Sequence, residues 1–386
     1  MGIPKLLAPL GGGHPRAQKS AIIKLFARIS AFPSFDGWMV EPPAYRLKGM
    51  LLDGGWRVED RVEPPPGAAG GNFSCGYHVR RSDGTRGFLK ALDFSRALRE
   101  RDPARELQKL TEAYNFERGL LEQCKARRMD RVVQAIEDGA VEVDQSAIGR
   151  VQYLILECAD GDIRARLHLL GRLELAWKLR SLHHIATGLH QLHGQQIAHQ
   201  DVKPSNVLVF DGKVSKIGDL GSASIRGRDC PRDGRAFAGD PAYAPVEALY
   251  GYRDPEWTVR RQGCDLWHLG SMVVFLFTGS TMNGLILGEL PASLRPDNWT
   301  GTFADVLPYV IDAFGRAVDT LGHHVTDLKV RSDLEEIVRQ LCSPDPRLRG
   351  HPLTRAQAGD RFSLERYVSW FNLLARRAEI GILGRV

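Results

Sequence analysis

Cysteine is scarce and scattered: Cys75, Cys124, Cys158, Cys230, Cys264 and Cys342 stand far apart, with no CxxC pair among them. That spacing excludes a zinc ribbon and a small disulfide scaffold, and it points to reduced, individually buried thiols and a cytoplasmic location. Long apolar runs are missing too. The longest, residues 272–277, is far short of the ~20 residues that span a bilayer. Residues 21–32 are interrupted by Lys24 and Arg28, so they do not read as a targeting leader. The expectation is a soluble chain with no membrane contact. No internal repeat recurs at a period of ~20–50 residues, which excludes solenoids and propellers. A strong charge of one sign is also lacking: 52 basic and 46 acidic side chains leave +6, too mild to demand a nucleic acid or a lipid surface. What is present is an ordinary globular composition, 43% hydrophobic and 25% charged, in a chain of 386 residues. That is enough for two or three units or one large two-lobed domain, with a core that needs no staples.

Residues 1–50 read as a Gly- and Pro-punctuated preamble with one amphipathic helix candidate over 18–31. Pro64-Pro65-Pro66-Gly67 makes a second break. Two short runs joined by Ser82-Asp83-Gly84 read as a β-hairpin, and the pattern turns helical over 105–127. Residues 151–158 form a buried-strand run. Leu175, Leu179, Leu182, Ala186 and Leu189 then recur on one face of a long helix. Beyond Trp257 the chain reads mostly helical, with a looser insert over 279–308. A small strand-rich part therefore precedes a larger helical part, with a short connector near Cys158 to Asp162.

The chemistry concentrates in Ala198-His199-Gln200-Asp201-Val202-Lys203-Pro204-Ser205-Asn206, followed by Asp219-Leu220-Gly221. Phosphoryl transfer asks a protein mainly for positioning and for neutralisation of spreading charge. Asp201 suits the acceptor of a nucleophile's proton, Asn206 and Asp219 supply hard oxygens for Mg²⁺, and Lys203 is a cation beside the reaction.

This string resembles the catalytic loop and magnesium motif of the eukaryotic-type (Hanks-type) serine/threonine protein kinases. Aminoglycoside and choline kinases carry a similar string, so the rest of the chain must discriminate. Phe88-Leu89-Lys90 resembles the strand lysine that holds the nucleotide phosphates, and Glu117 falls where the family places its ion-pair partner. Leu154-Ile155-Leu156-Glu157-Cys158 resembles the strand entering the hinge, which implies that backbone groups of Glu157, Cys158 and Ala159 face adenine. Gly239-Asp240-Pro241-Ala242-Tyr243-Ala244-Pro245-Val246-Glu247 is similar to the end of an activation segment, and Asp265-Leu266-Trp267 to the start of the anchoring helix. Arg349 resembles the late arginine that pairs with the glutamate at Glu247. Leu121, His199 and Leu220 are of suitable type for the apolar stack that links the lobes. Gly71 and Gly76 resemble the outer glycines of the phosphate loop, with Phe73 where the middle one would be.

The departures are as informative. Phe73 and Phe88 stand where the family has small residues, Gln200 where it has an arginine that answers an activation-loop phosphate, and Asp240 where it has a threonine. Residues 219–247 contain no threonine, and their serines, Ser222 and Ser224, lie beside the magnesium motif. Activity without activation-loop phosphorylation is the expectation. His183, His184, His190 and His193 are not expected to hold a metal, and His199 is read as structural. Arg226, Arg228, Arg232 and Arg235 are read as a solvated loop, and Cys75 as an incidental thiol.

The resemblance implies an α+β, bilobal protein-kinase-like fold, with a small β-rich N-lobe and a larger α-helical C-lobe. Its expected boundaries are 1–50 for an N-terminal extension, 51–160 for the N-lobe and hinge, and 161–386 for the C-lobe with C-terminal helices. It implies ATP- and Mg²⁺-dependent transfer of a γ-phosphoryl group to Ser or Thr hydroxyls of a protein substrate, with no nucleic-acid partner. The implied catalytic residues are Asp201, Lys203, Lys90 and Glu117. The implied nucleotide-binding set is Gly71, Phe73, Gly76, Lys90, Glu157, Cys158, Ala159, Asn206 and Asp219, with Asn206 and Asp219 on the metal. The rival readings are a pseudokinase acting as a nucleotide-gated binding module and a small-molecule phosphotransferase. The composition, rich in Ala, Arg and Gly, adds the expectation of a bacterial source and a divergent member.

Overall fold

The computed structural model describes residues 41–63, 74–146, 148–167, 174–235, 237–356 and 361–383. Its first part is a six-stranded antiparallel sheet in the order β1-β2-β3-β4-β6-β5. The strands are β1 (Leu51–Leu52), β2 (Trp56–Val62), β3 (Ser74–Arg80), β4 (Arg86–Leu92), β5 (Ala135–Glu142) and β6 (Arg150–Glu157). β3 and β4 form the expected hairpin. The Asp83 carboxylate accepts the Thr85 amide at 2.8 Å, and Gly84 takes the positive φ, +87°, that the turn requires.

Alternation along these strands sets the site. On β4, Gly87, Leu89 and Ala91 face the core while Phe88, Lys90 and Leu92 face the other way. On β3, Cys75, Tyr77 and Val79 point inward and Gly76 and His78 outward. Trp56, Tyr77, Leu89, Tyr153 and Ile155 fill the small-lobe core. Ala44 and Leu47 are buried in the same cluster, and the Tyr77 hydroxyl donates to the Ala44 carbonyl at 2.8 Å. The boundary expected at residue 50 therefore falls inside packed structure. The helix expected over 18–31 lies outside the described residues.

A long helix, Pro103–Ala126, crosses the sheet, and its N-terminus is capped by the Asp102 side chain. Its buried positions Leu107, Leu110, Tyr114, Glu117, Leu121 and Cys124 recur at three- and four-residue spacings and carry Glu117 to the inner face. The larger lobe is built around the helices Glu174–His193, Gly263–Thr278, Phe303–His324, Leu328–Leu341 and Glu365–Leu383. Its short strands are β7 (Gly161–Asp162), β8 (Ile197–Ala198), β9 (Val207–Phe210), β10 (Val214–Ile217) and β11 (Ser224–Ile225). Leu179, Leu182, Ala186 and Leu189 are fully buried, as the helical spacing requires, and they join Leu266, Trp267 and Leu334 in one core.

The insert over 279–308 is more helical than its Gly and Pro content suggests. Met282–Glu289 is a helix, and Phe303–His324 starts ahead of Pro308 because Thr302 and Asp305 form a reciprocal capping box. Pro308 falls in the second turn, where it removes one backbone donor without stopping the helix. Among the described residues no single helix is long and apolar enough to cross a membrane.

Candidate active site

The cleft between the lobes is built from both sides. β4 presents Lys90 opposite Gly76. The Lys90 ammonium donates to both oxygens of Glu117, at 2.8 and 2.9 Å, and to Asp219 Oδ1 at 3.3 Å. Burial alone would lower the lysine pKa; the carboxylates of Asp219 and Glu117 outweigh it and hold the ammonium above its ordinary value. In return Lys90 pulls the Asp219 carboxyl down to about 2. Asp219 holds its site with φ +62°, a left-handed conformation that a non-glycine residue keeps only when its surroundings impose it.

The catalytic-loop string wraps one buried carboxylate. Asp265, with no exposed surface, accepts the His199 amide at 2.7 Å, the Gln200 amide at 2.8 Å and His193 Nε2 at 2.9 Å. These bonds hold Gln200 at φ +70° and aim the next residue, Asp201, into the cleft. His199 is structural, as expected. Its Nε2 lies 3.0 Å from the Gly218 carbonyl and its Nδ1 accepts the Asp201 amide at 3.2 Å, so the ring is neutral with its proton on Nε2. Leu121 and Leu220 pack in one core cluster and His199 is fully buried.

Asp201 is itself buried, and burial raises its carboxyl above the ordinary carboxylate value despite the nearby Lys203. Oδ2 accepts from Asn206 Nδ2 at 3.1 Å and lies 3.3 Å from the Lys203 ammonium. Asn206 Nδ2 also donates to the Asp201 carbonyl at 2.8 Å. With its NH₂ spent inward, Asn206 has its carbonyl oxygen on a single long bond from Ser205 Oγ, at 3.5 Å, with a lone pair left for a further partner. That oxygen and the Asp219 carboxylate are the hard donors a divalent cation such as Mg²⁺ takes.

Asp240 enters this group unexpectedly. Its amide donates to Asp201 Oδ1 at 2.9 Å, and its carboxylate accepts from Lys203 at 3.2 Å. The lysine is thus held between two carboxylates. Gly239 makes the approach possible, since a Cβ there would lie 2.3 Å from the Gln200 carbonyl oxygen and 2.8 Å from Asp201 Oδ1. The string 239–247 was legible, but the Asp240–Lys203 contact was not, because it joins positions distant in sequence.

Glu157, at the end of β6, is engaged by its own neighbours. Its amide donates to the Gln134 carbonyl at 3.1 Å, so that donor is committed. Its carboxylate accepts the Gln134 amide at 2.8 Å and the Lys216 ammonium at 2.6 and 2.8 Å. Lys216 also lies 4.9 Å from the centre of the Phe210 ring. Cys158 Sγ is 3.8 Å from His78 Nδ1, and Ala159 follows on the same connector. Phe88 faces the cleft, with its ring so close to Gly76 that a Cβ there would meet it at 2.7 Å. Gly71 and Phe73 lie outside the described residues.

Of the smaller expectations, the solvated loop fails at Arg232. Cys75 is buried and points into the sheet core, where burial raises its thiol pKa, so it is inert. Arg232 is not solvated: it donates to Ser222 Oγ at 2.7 Å and to the Ala238 carbonyl at 3.1 Å. His193 is a hydrogen-bond partner of Asp265, at 2.9 Å. Glu247 and Arg349 form the expected buried pair, at 2.8 and 2.5 Å, with the guanidinium 4.8 Å from the centre of the Trp267 ring.

Comparison with known proteins agrees with this geometry. The family model described as a protein kinase domain matches residues 70–352. A serine/threonine-protein kinase from Candida albicans is 32% identical over 113 residues, 28% of this chain and 15% of that protein. A calcium/calmodulin-dependent protein kinase kinase from Caenorhabditis elegans is 36% identical over 105 residues, 27% of this chain and 17% of its own length. A cysteine-rich receptor-like protein kinase from Arabidopsis thaliana is 27% identical over 175 residues, 42% of this chain and 25% of that protein. The chain thus spans a quarter or less of the length of these relatives. All three organisms are eukaryotes, so the bacterial source expected from composition has no support among them.

Proposed function

The chain belongs to the protein kinase family, and from that premise we propose that it transfers the γ-phosphoryl group of ATP, with Mg²⁺, to Ser or Thr hydroxyls of a protein substrate. The observation that carries the reading is the convergence of Lys90, Glu117, Asp201, Lys203, Asn206 and Asp219 on one cleft. Asp201 takes the proton of the acceptor hydroxyl as its oxygen attacks the γ-phosphorus, the bond to the β–γ bridging oxygen breaks, and ADP leaves. Lys203, between Asp201 and Asp240, faces the charge that spreads over the transferring group. Lys90, oriented by Glu117, holds the α- and β-phosphates. Asn206 and Asp219 hold the cation, and Mg²⁺ supplies charge neutralisation on the phosphates when bound. Gly71, Phe73 and Gly76 cover the phosphates, and the backbone of Glu157, Cys158 and Ala159 meets the base. We assign residues 51–160 and 161–386 to the two lobes and residues 1–50 to an extension, its last residues packed on the small lobe, and we place the protein in the cytoplasm.

Activity without activation-loop phosphorylation belongs to the same proposal. It is supported by Gln200 in place of an arginine and by the absence of threonine from 219–247. Phe88 against Gly76 favours a second reading, a nucleotide-gated binding module without turnover. Incorporation of label from [γ-³²P]ATP, comparing the protein with Asp201→Asn, tests the choice. Label on a generic protein substrate that disappears in the variant supports the kinase. No label, with a magnesium-dependent thermal shift by ATP, supports the binding module. Loss of activity after phosphatase treatment would overturn the phosphorylation-independent reading.

A further inference from the structure

The activation segment carries an ionic cluster, a buried guanidinium on a half-buried carboxylate, that sequence reasoning did not reveal. Arg261, only 2% exposed, lies in a single π-helical turn, Thr258–Gln262, directly before the anchoring helix. Its Nη2 donates to Asp233 Oδ1 at 2.7 Å and to the Asp233 carbonyl at 3.3 Å. Its Nη1 donates to Gln200 Oε1 at 3.1 Å, and Gln200 Nε2 returns a bond to the Arg261 carbonyl at 2.7 Å. Asp233 has further donors on both carboxylate oxygens and on its carbonyl. Oδ1 accepts Ser224 Oγ at 2.9 Å, Oδ2 accepts the Cys230 amide at 3.2 Å, and its carbonyl also takes Arg253 Nη2 at 3.3 Å. Trp257 Nε1 closes the cluster by donating to Ser224 Oγ at 3.1 Å.

A buried guanidinium is tolerable only beside a counter-charge with most of its donors satisfied. Here the counter-charge is encoded in the sequence rather than added by modification. The chain of contacts runs from the middle of the activation segment (Asp233) through Arg261 to Gln200, whose neighbour is Asp201. We propose that Asp233 and Arg261 are a positioning pair: a permanent carboxylate–guanidinium clamp that orders the segment 222–240 and, through Gln200, fixes Asp201 for phosphoryl transfer. Arg261 takes over, from the other side of Gln200, the charge-reading task that an arginine before the catalytic aspartate would perform, and Asp233 takes over that of a phosphate. The inference rests on the kinase reading for its catalytic consequence but not for its structural one.

The test uses the full chain with Asp233→Ala, Arg261→Met and the conservative Asp233→Glu, read by hydrogen–deuterium exchange and by steady-state kinetics. Asp233→Ala and Arg261→Met are expected to raise exchange across 222–240 while the helix 174–193 stays protected. kcat is expected to fall about tenfold or more, ~1.4 kcal/mol of barrier, with KM for ATP changed less than about twofold. Asp233→Glu should restore most of both signals. Unchanged exchange in 222–240 overturns the clamp. So does an unchanged kcat, or an equal loss of protection throughout both lobes that Glu does not rescue. If the unmodified protein transfers no phosphate at all, the kinase reading fails, and the exchange data alone still decide the clamp.

Discussion

Replacing Asp265 by Asn is the sharpest perturbation of this catalytic loop. The carboxylate is completely buried and accepts four bonds, from the amides of His199 and Gln200, from His193 and, at a longer 3.5 Å, from Gln200 Nε2. Burial pushes its carboxyl pKa up, but the hydrogen bond and charge of His193 outweigh that, leaving it below the ordinary value. The amide of Asn can accept through one oxygen only, and its NH₂ then confronts a backbone N–H. At least one charge-assisted bond is lost and one buried donor is stranded, about 3 kcal/mol at the lower bound of ~1.5 kcal/mol each. Over a domain of this size that lowers Tm by roughly 6–12 °C at ~2–4 °C per kcal/mol. The second consequence is local: Gln200 at φ +70° loses the bond that holds it, so Asp201 shifts and activity falls more than stability would require. Scanning calorimetry at pH 7 and phosphate incorporation well below Tm read the two effects separately. A Tm within about 2 °C of the unmodified protein, with intact activity, would refute the reasoning. Because the folded-state pKa is depressed, this contribution is present above the ordinary carboxylate pKa and disappears as pH falls through the still lower folded value.

Glu117→Gln leaves Lys90 with Asp219 as its one carboxylate partner among the contacts described, and kcat/KM for ATP should fall about tenfold or more; an unchanged value would remove Glu117 from the site. Phe88→Ala should open the space beneath Gly76 and lower KM for ATP, whereas a higher KM would mean the ring supports the nucleotide. His184 and His268 are buried, and burial, aided by Arg131 at His184, pulls their pKa values down to about 3 and about 4. Both stay neutral when folded, so the stability they confer is full above the unfolded value near pH 6.5 and declines below it, by up to ~1.4 kcal/mol per pH unit each. Calorimetry from pH 7 to pH 5.5 should show a falling Tm, and a flat profile would contradict the assignment.

The fold was legible where local rules decide it. The hairpin around Asp83-Gly84, the one-sided helix carrying Leu179 to Leu189, and the catalytic string from His199 to Asn206 announce themselves by period, turn residues and spacing. The pair of Lys90 and Glu117 was legible by order along the chain and meets at 2.8 Å. What stayed hidden is what only three dimensions bring together. Asp233 and Arg261, Asp240 and Lys203, and Glu157 and Lys216 have no local signature as pairs, because the partners come from elements far apart in the chain. The missing arginine at Gln200 was visible; its replacement from another element was not.

The Glu157–Lys216 contact also determines how this molecule can flex. Glu157 ends the last strand of the small sheet and Lys216 belongs to the larger lobe, so the ion pair rivets the two together on the hinge side. Just beyond, the Asp160 amide is fastened to the Val209 carbonyl at 2.8 Å. Between the two fastenings lie only Cys158 and Ala159. The lobes are thus fastened on both sides of Cys158-Ala159, and a third time where the Val133 amide donates to the Ile217 carbonyl at 2.9 Å and the Ile217 amide to the Arg131 carbonyl at 3.0 Å. Across the cleft Lys90 reaches to Asp219, whereas its contact with Glu117 lies wholly within the small lobe. Parting the lobes would separate Lys90 from Asp219 and leave the Lys90–Glu117 pair whole, so the lysine keeps its orientation in either case.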